Sequence, residues 1–136
     1  TLDGTLFPYT TLFRSYRVAN VVPELEVFGE KSGDLLVVGW GGTYGHLVSA
    51  VKDLQVEGKS VSLAHFNYIY PMPKNTREIL NGFKKIVVCE LNNGQFIYWL
   101  RAQFPQYQYL TYHKVQGLPF LINELKSRFN DILKGE

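Results

Sequence analysis

The sequence predicts a three-layer α/β/α sandwich with a mostly parallel sheet. Three observations lead there. Along residues 16–136, short β-branched runs alternate with segments of helical periodicity. The longest apolar runs do not alternate polar and apolar, as suits strands buried on both faces. The order is four consecutive β-α units with one extra strand in front, and no repeat, low-complexity stretch or linker interrupts it. Parallel strands joined by right-handed helical crossovers are the economical way to bury such a series.

The elements follow in order. Leu25–Phe28 is a short strand, closed by a turn at Glu30-Lys31-Ser32-Gly33. Leu35–Trp40 is a continuous apolar run bounded by glycines, the first buried strand. Leu47, Ala50, Val51 and Leu54 fall at helical spacing, and Gly58 stops that helix. Ser60–Phe66 is a second buried strand, closed by Pro71 and Pro73. Asn75-Thr76-Arg77-Glu78 has the form of a capping box, with Ile79, Leu80 and Phe83 facing inward from the helix it opens. Ile86–Cys89 is the third central strand. Phe96, Ile97, Leu100 and Phe104 recur at helical spacing until Pro105 ends the helix. Tyr107–Tyr112 alternates and is more polar, as expected of an edge strand. Pro119 opens the last helix, whose apolar stripe is Leu121, Ile122, Leu125, Phe129 and Ile132.

Composition narrows the function. The chain has 136 residues, 46% hydrophobic and 19% charged, within the range of one globular domain. A single cysteine, Cys89, excludes a disulfide framework and a multi-cysteine metal site within this chain. A net charge of +2, evenly spread, argues against nucleic acid or an anionic membrane as partner. The chain shows neither an apolar run of membrane-spanning length nor a signal peptide, so the expected location is the cytoplasm.

Residues 5–15 match, codon for codon, the translation of a widely used sequencing adapter. Thr1–Ser15 is therefore expected to be a cloning or assembly artefact, with the domain running over 16–136. The artefact creates a decoy, since Leu2-Asp3-Gly4-Thr5-Leu6 looks like the end of a phosphatase nucleophile loop. That chemistry needs an aspartate two residues before Asp3, where Thr1 stands.

Three loops hold the candidate functional residues, each at the carboxyl end of a predicted strand. Gly39-Trp40-Gly41-Gly42-Thr43-Tyr44-Gly45 partly follows a dinucleotide fingerprint, but Tyr44 replaces the third glycine. The acid expected at the end of the next strand is also replaced, by His65-Phe66-Asn67. Gly41, Gly42, Thr43, Tyr44 and Gly45 are thus either a tight turn allowing close backbone approach or a place where a ligand or partner sits. Glu90, Asn92 and Gln95 form the second loop. Glu90 is either an acid–base group or an acceptor for backbone donors nearby. Lys114 and Gly117 lie in the third, where the lysine either pairs with an anion or is solvated. His46, His65 and His113 lack metal-ligand spacing, and Cys89 reads as a small buried hydrophobe. Tyr98, Trp99, Tyr107, Tyr109 and Tyr112 make either an exposed patch for a partner protein or ordinary packing.

These loops, in this order, resemble one family. Residues 39–45, then Asn67-Tyr68-Ile69-Tyr70-Pro71-Met72-Pro73, then Glu90-Leu91-Asn92-Asn93-Gly94-Gln95, then Lys114-Val115-Gln116-Gly117-Leu118-Pro119-Phe120 look like the C-terminal part of the alpha subunit of 2-oxoacid:ferredoxin oxidoreductases, with the 2-oxoglutarate branch nearest. Asn93 and Tyr70 depart from the usual pattern without removing a charged group. The resemblance implies a transketolase C-terminal-like fold, also called core domain II: a five-stranded sheet whose first strand is antiparallel. It implies a complex that oxidatively decarboxylates a 2-oxoacid to an acyl-CoA, using thiamine diphosphate, Mg and iron–sulfur clusters. It implies a beta subunit, the upstream part of the alpha subunit and ferredoxin as partners. No catalytic residue of the family maps onto this chain, so the expectation is a non-catalytic assembly domain that binds none of those cofactors itself. The alternative is a free-standing module binding a nucleotide or small molecule through Gly39–Gly45.

Overall fold

The computed structural model describes residues 23–67, 73–90, 95–113 and 120–135. The adapter-like segment, Asn92, Lys114, Gly117 and Pro119 lie outside them. Five strands form one sheet: β1 (Val27–Phe28), β2 (Gly33–Trp40), β3 (Val61–Phe66), β4 (Phe83–Glu90) and β5 (Tyr109–His113). Their order across the sheet is β1-β3-β2-β4-β5, with β1 antiparallel to β3 and every other pair parallel. The helices are α1 (Tyr44–Val56), α2 (Thr76–Asn81), α3 (Gln95–Gln103) and α4 (Ile122–Leu133), and a 3₁₀ turn at Gly41–Thr43 leads into α1.

Strand periodicity sorts the side chains into two cores. Leu35 and Val37 of β2, with Val87 and Cys89 of β4, face α1 and α4. Leu36 and Val38, with Ile86 and Val88, face α2 and α3. Both faces of the central strands are therefore dry, which is why their sequences read as unbroken apolar runs. α1 contributes Leu47, Ala50, Val51 and Leu54, as its spacing predicts. It ends in a Schellman motif. The Gly58 N–H donates to the Gln55 carbonyl and the Lys59 N–H to the Leu54 carbonyl, each at 3.0 Å. Gly58 holds φ +88°, a backbone state that favours glycine.

Several local expectations are corrected. The capping-box reading of Asn75 fails: the residue precedes α2 but makes no side-chain cap. Its amide turns instead to Leu25, accepting from the Leu25 N–H at 2.7 Å and donating to the Leu25 carbonyl at 2.9 Å. This bidentate pair gives Leu25 the bonds a strand neighbour would supply, and the strand proper shrinks to Val27–Phe28. Phe83 belongs to β4, not to the inward face of α2. Leu121 is 53% exposed and outside the apolar stripe of α4, whose buried residues are Leu125, Phe129 and Ile132. The five aromatics do not share a surface. Tyr98 is exposed, and Tyr109 is buried against the α2/α3 core. Tyr112 packs on the opposite core, stacked on Phe120 at 5.6 Å. No helix among the described residues is long and apolar enough to cross a membrane.

The two ends of α4 test this packing. Phe129→Ala removes a ring with no exposed surface and should lower the unfolding free energy by about 3–5 kcal/mol. Leu121→Ala should stay within about 0.5 kcal/mol. Urea titration of both variants checks the contrast, and similar midpoints would contradict the placement of α4.

Candidate functional site

The helices after β2 and β4 lie on opposite faces of the sheet, α1 on one and α3 on the other. Such a switch point opens a crevice between the carboxyl ends of two adjacent strands, and open α/β sheets commonly bind ligands there. Among the described residues, Glu90 and Trp40 stand at that place. Glu90, the last residue of β4, is 1% exposed. Its Oε1 accepts from the Phe96 N–H at 2.8 Å and from the Trp40 Nε1–H at 3.2 Å, and its Oε2 accepts from the Ile97 N–H at 3.0 Å. The carboxylate thus caps the first turn of α3 and ties the end of β2 to the end of β4. The Trp40 ring adds a tilted contact with Phe96 at 5.9 Å. A buried carboxylate is tolerated only with such compensation, and the positive end of a helix supplies it. Of the two readings of Glu90, the acceptor of backbone donors is the one the structure bears out.

The glycine loop has equally local reasons. A Cβ on Gly39 would sit 2.3 Å from Leu47 Cδ1, so the glycine lets α1 pack against its own strand. Gly41 has φ +72° with open space around it, so there the backbone conformation, not crowding, demands glycine. Thr43 is buried, and its hydroxyl donates to the Trp40 carbonyl at 3.2 Å. Gly42 is part of the 3₁₀ turn, Tyr44 and Gly45 open α1, and Gln95 opens α3. The structure therefore brings Gly41–Gly45, Glu90 and Gln95 to one rim of the sheet.

Beside that rim lies a cleft of about 780 Å³ that the sequence does not announce. Gly41, Tyr44, His65 and Asn67 line it from the carboxyl ends of β2 and β3, and residues 23–28 line it from the sheet edge. Its one sequence signal is the alternation of Glu24 and Glu26 with Leu25 and Val27. Tyr44 meets His65 edge-on at 5.2 Å. Burial holds the His65 imidazole below its ordinary pKa, against smaller upward effects from the Gly41 backbone and the Asn67 side chain.

The cofactors implied by the resemblance do not fit these residues. Among the described residues no group of three His, Cys, Asp or Glu could hold a metal ion. The lone cysteine, Cys89, is fully buried, and burial pushes its thiol well above the ordinary range. At the switch point the described side chains are Trp40 and a Glu90 carboxyl that already accepts three hydrogen bonds.

Two measurements test this geometry. Glu90→Gln leaves one carbonyl oxygen for three donors and should cost about 2–4 kcal/mol. Trp40→Phe removes a single donor and should cost about 1 kcal/mol, coupled to the first in a double-mutant cycle. A loss below about 0.5 kcal/mol for Glu90→Gln would contradict the cap. For His65, the unfolded state binds the proton more tightly than the folded one. Its contribution is complete above the ordinary value of 6.5 and is lost as pH falls from there through the lower folded value. The midpoint temperature should consequently fall more between pH 7.5 and 5 in the parent than in His65→Gln.

Comparisons with known proteins agree with this architecture. No protein-family model matches the chain. The 2-oxoglutarate oxidoreductase subunit KorA of Mycobacterium tuberculosis is 39% identical over 107 residues, spanning 76% of this chain and 16% of that protein. The alpha subunit of a 2-oxoacid:ferredoxin oxidoreductase from Saccharolobus solfataricus is 28% identical over 123 residues, or 85% of this chain and 19% of that one. The chain thus spans less than a fifth of the length of these curated relatives. Among solved structures, the 2-oxoglutarate:ferredoxin oxidoreductase of Magnetococcus marinus, with 2-oxoglutarate, coenzyme A and succinyl-CoA bound, superposes with a TM-score of 0.81 at 27% identity, over 87% of this chain and 21% of that one. A split-gene transketolase shares the fold at a TM-score of 0.59 and 15% identity, over 80% of this chain and 41% of that one. By sequence and by fold, the chain belongs to the alpha-subunit family of the 2-oxoacid:ferredoxin oxidoreductases, of which it represents one region.

Proposed function

We propose that this chain is a non-catalytic assembly domain, the C-terminal transketolase-like part of an alpha subunit. The whole complex, on this reading, decarboxylates a 2-oxoacid oxidatively to an acyl-CoA in the cytoplasm, with 2-oxoglutarate as the favoured substrate. Thiamine diphosphate, Mg and the iron–sulfur clusters are held elsewhere in that complex. The beta subunit and the upstream part of the alpha subunit are the direct partners, and ferredoxin is reached through the assembly. The observation that carries this reading is the pair of side chains at the switch point. The place where such a sheet would take a ligand is occupied by Trp40 and by Glu90, whose carboxylate already serves three donors. The glycines at 39 and 41 answer to packing and backbone conformation, which leaves a nucleotide site without support. The rim residues Gly41–Gly45 and Gln95, and with them Asn92, Lys114 and Gly117 from the loops outside the described residues, are then interface elements rather than catalytic ones.

Thermal unfolding with thiamine diphosphate plus Mg²⁺, coenzyme A, 2-oxoglutarate, NAD or FMN tests the non-catalytic half. No shift is expected with any of them. A ligand at a hundred times its dissociation constant would add about 2.7 kcal/mol, so a rise of that size would overturn the reading. Co-expression of the alpha and beta subunits tests the assembly half. Deleting this domain should remove the beta subunit from the purified complex, and unchanged co-purification would count against it.

A further inference from the structure

We draw no further inference here: the strongest candidate, the cleft at the β1 edge where Glu24, Glu26, His65 and Asn67 share the walls with Leu25, Val27 and Tyr44, carries none, because nothing in the structure shows what covers it.

Discussion

The carboxylate of Glu90 is the constraint on which the rim depends. It sits at the end of the strand next to β2, on the line where the following helices part to opposite faces. An uncompensated charge there would be costly, and an uncapped α3 would leave its first N–H groups without acceptors. One side chain answers both needs. Its third bond, to Trp40, crosses to β2 and closes the gap between the strands. Trp40 in turn precedes the 3₁₀ turn and takes the Thr43 hydroxyl on its carbonyl, so α1 is registered against the same anchor. Two helices on opposite faces are thus indexed to one buried anion.

The sheet edge is secured by different means. β1 contributes only two residues to the ladder, too few to hold a strand by backbone pairing. Side chains do the remaining work. Asn75 grips Leu25 from the α2 side. Ser62 donates to the Glu30 carbonyl at 2.7 Å, and the Gln55 amide reaches the Phe28 carbonyl at 3.3 Å and the Val61 carbonyl at 3.0 Å. Lys126 of α4 links to α1 through Glu57 at 3.0 Å and Asp53 at 3.7 Å, a surface contact that orients more than it stabilises. The edge therefore pairs a weak backbone ladder with polar anchors, and the cleft opens beside it.

Most of the fold was legible because burial on both faces writes itself into sequence. The runs 35–40, 60–66 and 86–89 needed no tertiary information, and neither did the stripe of α1. What escaped was set by partners far away in the chain. Asn75 looked like a cap because its local neighbours fit one, but its partner Leu25 is fifty residues off. Leu121 fitted the helical spacing of α4, yet it precedes the helix and stays exposed. Glu90 was recognisable as an acceptor, although its second tie, to Trp40, could not be read from spacing. Of the cleft only the alternation over residues 24–27 was written locally, because four separate segments compose its walls.

A sheet of this kind has its natural ligand crevice where strand order reverses, so occupation of that crevice by the protein's own side chains carries functional weight. Mobile, partly solvated groups at a switch point would be free to meet a substrate. Here the groups are a buried carboxyl accepting three hydrogen bonds and an indole held between strand and helix. Rearranging them would strip α3 of its cap and break the side-chain tie between the ends of β2 and β4, whose backbone ladder stops at Val38 and Val88. Beside them the described surface leaves the cleft at the sheet edge, where Leu25, Val27 and Tyr44 share the walls with Glu24, Glu26, His65 and Asn67.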